Sequence, residues 1–272
     1  MRISLPNFVA TLAVVLSLWS PPVLAAETLR MGGMGGASAL MAQLGRVFAQ
    51  QTGIEVEVLP NLGTGGGLNA LAEGVLDVSV AGRKLKPEEL TRGLVEVAAV
   101  RTPYVLVTSR PAPASMQARD VVAAYSAGKP AWPDGVPLRI ILRPRSDSET
   151  TVLGAMFPGM EAAINQARQR PDTPVAPNDQ DNADLAEQLS GSLTSMTYSQ
   201  LMLERRKLHA VALTDVAPTL EAFESGAYPH GRTFRVIHMQ PASAAARRFV
   251  QFLKTDEAAH ALREAFCLPV HE

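Results

Sequence analysis

Between residues 54 and 75 the spacing of apolar positions changes. Ile54, Val56 and Val58 alternate, Leu68, Leu71, Ala72 and Val75 recur at helical steps, and Asn61-Leu62-Gly63-Thr64-Gly65-Gly66-Gly67 lies between them. Alternation suits a half-buried strand and a 3.6-residue period suits an amphipathic helix, so this stretch predicts strand, glycine loop and helix. The same succession occurs earlier. Thr28 to Met31 reads as a strand, Gly32 to Ser38 as a glycine loop, and Leu40, Met41, Leu44, Val47 and Phe48 as a helix that Gly53 is placed to end.

Downstream, Asp77 to Ala81 predicts a strand, and Pro87-Glu88-Glu89-Leu90 opens a helix with acids in its first turn. Val95 to Val100 and Tyr104 to Thr108 predict two further strands. The alternation implies a mainly parallel α/β sheet covered by helices. The proline-rich Arg110-Pro111-Ala112-Pro113 marks the crossing into a second lobe. There the pattern predicts a helix over 118–129, a turn over 131–135, a buried strand over 138–142 and a surface loop over 171–181. A short helix over 182–189, a strand over 192–198 with a helix after it through Leu203, a strand over 208–213, a loop over 222–230, a strand over 234–239 and helix through most of 242–266 complete the chain.

The N-terminus changes the picture. Arg2 precedes an apolar stretch from Phe8 to Leu18, then Ser20-Pro21-Pro22 and small residues up to Ala26. This is the layout of a cleaved secretory signal peptide over residues 1–26. The stretch is too short to span a bilayer and nothing later reaches the roughly eighteen apolar residues a spanning helix needs, so an exported chain without a membrane anchor is expected. Acids (26) and bases (25) nearly balance, and no basic block interleaves with aromatics, so nucleic acid is not an expected partner. The single Cys267, in an apolar string, reads as a buried structural thiol. His209, His230, His238, His260 and His271 show no metal-ligand spacing, so neither metal nor cofactor is expected.

The glycine loops carry the candidate chemistry. Glycines let backbone approach a ligand, and a helix N-terminus offers unpaired N–H groups at the positive end of its dipole, so loop and helix together make an anion site. Gly67 is followed by Leu68-Asn69 rather than Lys-Ser/Thr, which excludes a P-loop, and G-T-G-G-G with an early Asp77 does not fit a dinucleotide fingerprint. A third loop, Arg143 to Thr151, crowds hydroxyls ahead of a helix. Ser148, Thr150 and Thr151 can cap that helix or donate to an oxyanion, with Arg143 or Arg145 supplying charge. Each also has a structural reading: Ser38 as an N-cap, the glycines as turn formers, and Arg83, Arg143 and Arg145 as ion-paired surface or lobe-bridging side chains.

Gly36-Ala37-Ser38, Gly63-Thr64-Gly65-Gly66-Gly67 and Arg145-Ser146-Asp147-Ser148-Glu149-Thr150-Thr151, in this order before three helices, resemble the loops of periplasmic phosphate-binding proteins. The similarity continues through Leu76 to Glu89, Tyr125 to Lys129 with Trp132 to Gly135, Ser225 to Pro229 and Leu268-Pro269-Val270, and so covers nearly all of the chain after the signal peptide. The resemblance implies a type II periplasmic binding fold: two α/β lobes joined by two crossing hinge strands, with the ligand cleft between them. The lobes would be residues 27–108 with 214–272, and residues 109–213. It implies a non-enzymatic, monomeric, periplasmic solute-binding protein that delivers phosphate or a similar oxyanion to an inner-membrane ABC permease. Rival readings are a sensor or accessory protein for another small anion, or a phosphate-ester hydrolase. The ligand contacts carried over are Ala37, Ser38, Thr64, Gly65, Gly66, Arg83, Arg143, Ser148, Thr150 and Thr151. Two departures stand out. Arg83 occupies the place of an aspartate that accepts the proton of a protonated phosphate, and Glu149 adds a carboxylate that would repel a dianion unless it points away.

Overall fold

The computed structural model describes residues 27–270, so the signal-peptide reading at 1–26 lies outside them. The chain runs β1 (Thr28–Gly33), a 3-10 turn (Gly35–Ala37), α1 (Ser38–Thr52), β2 (Glu55–Leu59), α2 (Gly63–Ala72), β3 (Val78–Ala81), α3 (Pro87–Thr91) and β4 (Leu94–Thr108). Then come α4 (Ala118–Ser126), β5 (Arg139–Ile140), α5 (Ser148–Gly154), α6 (Met160–Ala167), α7 (Asp179–Gln188), β6 (Ser192–Thr197), α8 (Tyr198–Leu203) and β7 (His209–Ala210). The last elements are α9 (Leu220–Glu224), β8 (Gly231–Met239), α10 (Ala244–Phe252), α11 (Asp256–Glu264) and β9 (Leu268–Pro269).

One open sheet runs β2-β1-β3-β8-β4-β6-β5, with β7 and β9 also paired to β4. The pairings β1–β2, β1–β3 and β5–β6 are parallel; those of β8 with β3 and β4, and of β4 with β6, are antiparallel. The sheet is therefore mixed rather than mainly parallel. The two strands expected at 95–100 and 104–108 are one strand, β4. Its first part pairs with β8 as far as Pro103 opposite Gly231, and its second pairs with β6 from Tyr104 opposite Thr197. Proline lacks an N–H, and it falls where the ladder changes partner, so no pairing is lost there.

Two sets of apolar side chains lie on either side of that change. Leu40, Met41, Leu44 and Phe48 of α1 pack with Phe249 and Phe252 of α10 on β1, β3 and β8, Phe48 and Phe249 meeting edge to face at 5.4 Å. Beyond Pro103, Tyr104, Leu106, Tyr125, Trp132, Ile140, Met160 and Ile164 form a second core, which Val216, Ala222 and Tyr228 also join. Gly53 ends α1 in the left-handed conformation (φ 72°), as its position in the sequence predicts. Cys267 is buried as expected, and burial pushes its thiol up to about 12.

Other boundaries differ from the periodicity. The loop expected over 171–181 ends early because Asn178 caps α7, its side chain accepting the Asp181 N–H. The strand expected over 138–142 regularises only at Arg139–Ile140, and that over 208–213 only at His209–Ala210. The loop expected over 222–230 begins inside α9, and the C-terminal helical region divides into α10 and α11, the second capped by Thr255. Among the described residues no helix is long and apolar enough to cross a membrane.

Candidate functional site

Helix α2 begins at Gly63, so Thr64 to Gly67 form its first turns rather than a loop. One of these glycines is required by a close approach: a Cβ on Gly67 would lie 2.5 Å from the Gly33 Cα, so only glycine lets this helix sit against the end of β1. The Thr64 hydroxyl accepts the Gly82 N–H at 3.0 Å, tying α2 to the segment after β3. On the opposite side, α5 is capped by Asp147, whose carboxylate accepts the Glu149 N–H at 3.0 Å; Ser148, Thr150 and Thr151 are not its cap.

These helix starts face one cleft of about 610 Å³, to which Met34, Gly35, Asn178, Asp179, Lys86 and Arg232 also contribute. Of the residues proposed from the sequence, Thr64, Gly65, Arg83, Arg143, Ser148 and Thr151 line it. Ala37 is buried in the first core, and Gly66 lies in α2 outside the lining. Ser38 opens α1 without capping it, because Ala37 holds the cap position; its hydroxyl is buried without a partner. Thr150 points to the back of its loop, donating to the Pro144 carbonyl at 2.8 Å.

The cleft's charge is set by arginines that each meet an acid. Arg83 lies against Glu89 at 2.6 Å, and that hydrogen-bonded pairing raises the arginine's pKa and holds the Glu89 carboxyl below the ordinary range. Arg143 is 6% exposed, pairs with Asp147 and lies 3.6 Å from Asp179, while its Nε and Nη1 find no hydrogen-bond partner. Arg232, at the start of β8, is 3% exposed; its Nη2 donates to the Ser148 hydroxyl at 2.6 Å. Its Nε is 2.9 Å from Glu149, but off line, so that contact is an ion pair rather than a hydrogen bond.

Glu149 therefore does not face solvent. It turns inward from the first turn of α5, 3% exposed, and burial pushes its carboxyl up despite Arg232. Sequence reasoning missed Arg232, Asp179, Asn178 and Lys86. Asn178-Asp179-Gln180-Asp181 held a usable signal, an N-cap followed by first-turn acids, whereas Arg232 has no local pattern and reaches the cleft only through the placement of β8. Arg145 stands apart from the cleft lining, hydrogen-bonded to Asn165 at 2.8 Å. No group of three or more His, Cys, Asp or Glu among the described residues is placed to hold a metal.

The sequence profile described as the PBP superfamily domain matches residues 23–257. The chain belongs to the PBP superfamily. Among curated proteins no sequence matches it. Among solved structures, this PBP-superfamily chain is similar to a putative phosphate ABC transporter substrate-binding protein with bound phosphate from Clostridium perfringens, at 16% identity and TM-score 0.74, over 90% of this chain and 100% of that one. An ABC-type phosphate transport receptor from Vibrio cholerae aligns at 15% identity and TM-score 0.59, over 88% and 99%. The periplasmic molybdate-binding protein of Azotobacter vinelandii aligns at 14% and 0.62, over 90% and 99%. Identities this low establish a shared fold, that of the type II periplasmic binding proteins.

Proposed function

We propose that this chain is a periplasmic solute-binding protein that captures phosphate or a similar tetrahedral oxyanion for an inner-membrane ABC permease. The observation that carries this reading is Arg143: a guanidinium 6% exposed, with Nε and Nη1 unpartnered, lining a cleft toward which α2 and α5 turn their N-termini. Buried donors without partners are costly, and an anion with several acceptor oxygens supplies what they lack. The fold shared with phosphate and molybdate binders supports the same class of ligand.

In this reading residues 27–108 with 214–272 form one lobe and 109–213 the other, with Tyr104 and Leu106 of β4 and Val216 and Tyr228 of the return segment packing into the core of the second. Thr64 and Gly65 approach the anion from one side, Ser148, Thr151 and Arg143 from the other, and the protein acts as a monomer without catalysis. Glu149, turned onto Arg232, does not oppose a dianion in the cleft. The test is a thermal-shift series with phosphate, sulfate, molybdate and small carboxylates on refolded protein. A ligand at about a hundred times its Kd should add about 2.7 kcal/mol. The expected result is a shift with a tetrahedral anion that Arg143→Gln and Thr64→Ala diminish; no shift with any of them removes the reading.

A further inference from the structure

The amide end of the first glycine turn already carries an anion from the chain itself. Asp179, at the first position of α7, accepts the Gly36 N–H through Oδ2 at 2.9 Å, across 143 residues of sequence. Its other oxygen lies 3.6 Å from Arg143. The fit is close: a Cβ on Gly35 would come within 2.7 Å of Asp179 Oδ2. Beside it, the Gln180 amide reaches the Gly35 carbonyl at 3.4 Å and the Thr197 hydroxyl donates to the Gly36 carbonyl at 3.2 Å. A carboxylate thus takes contacts of the kind that an oxyanion in this cleft requires.

Arg143 consequently faces two acids, and they are not held equally. Asp147 caps α5 through the Glu149 N–H while also pairing with Arg143. Removing it would uncap a helix. Asp179 has a single amide and a longer contact to the guanidinium. Its burial raises its carboxyl pKa even against the pull of Arg143.

We propose that Asp179 sets the affinity threshold of the cleft: its carboxylate is an internal competitor for the Gly36 amide and Arg143, which an incoming oxyanion must displace in order to bind. This rests on the anion-binding reading above. An intramolecular group competes at an effective concentration in the millimolar range or above, so a monoanion that offers no better contacts does not displace it. A dianion gains more from the unpartnered Nε and Nη1 of Arg143. The internal competitor weakens every external ligand by the fraction of time the site is free, and so suppresses weak ligands below detection while leaving strong ones bound.

The test is calorimetric titration of the wild-type protein, Asp179→Asn and Asp179→Ala with sulfate, inorganic phosphate at pH 8, and acetate. Asn keeps an acceptor for Gly36 but loses the charge; Ala removes both. The expected order of dianion affinity is Asp179→Ala, then Asp179→Asn, then wild type, with at least a tenfold span. Acetate affinity should rise by the same factor, because an intramolecular competitor weakens every external ligand alike, so that acetate binding becomes measurable in the variants. Should the Ala variant fail to fold, the Asn variant against wild type carries the comparison. Folded variants that bind sulfate, phosphate and acetate no tighter than wild type overturn the role of Asp179 and leave the anion-binding reading standing. No binding of any anion to any of the three proteins overturns both.

Discussion

His230 is the residue whose titration the fold most directly exposes to measurement. Its ring meets Phe157 and Tyr228 edge to face, with centroids 5.1 and 5.4 Å away, and burial lowers its pKa below the ordinary 6.5. The unfolded chain binds this proton more readily than the folded one, so the stabilising contribution is complete above the unfolded pKa and is lost as pH falls through the lowered folded value. Urea midpoints should therefore drop on acidification from about pH 7, and His230→Gln should flatten the drop; equal slopes in both proteins would contradict this. At the same scale, the sequence exposed some side chains and concealed others. The apolar neighbours of Cys267 and the left-handed place of Gly53 are local facts, and both are read correctly from a few adjacent residues. Arg232 and Asp179 reach the cleft through the positions of β8 and α7, and no neighbour in sequence reports that.

Among the elements, β4 does the most with its length. It pairs with β8, β6, β7 and β9, and at its centre Thr102 is fully buried. The Thr102 hydroxyl donates to the Phe266 carbonyl at 2.8 Å and accepts the Ser199 N–H at 3.2 Å, so one side chain joins the strand, α8 and the segment before β9. Thr102→Val keeps the shape but strands both partners, and should cost about 1–3 kcal/mol. A chemical denaturation midpoint indistinguishable from wild type would show those bonds to be dispensable. The sequence reading divided this strand because Arg101-Thr102-Pro103 interrupts the apolar run. The interruption is real but marks a change of partner, which periodicity cannot distinguish from an end. The glycine stretch before Leu68 reads as a loop for a related reason: propensity disfavours Gly65 to Gly67 in a helix, yet α2 starts at Gly63, with Gly67 fitted against Gly33.

For the molecule as a whole, the spatial order of strands departs from their order in the chain. Residues between β3 and β4 form only α3 and its turns, yet these two strands are not neighbours; β8, beginning at Gly231, lies between them. A polypeptide appearing N-terminus first reaches residue 230 with two naked strand edges and no means of joining them. Helices α10 and α11, which cover the first core, are later still. The early segments are thus held back from commitment until almost the entire molecule has emerged. A version ending at residue 230 keeps the residues of the second core but loses β8, α10 and α11, so it should unfold with a markedly smaller cooperative transition than wild type; one with the wild-type melting temperature and enthalpy would refute this. Unpaired edges are templates for association with other chains, so any nascent chain of this protein waits, for most of its synthesis, in the form that most needs an escort.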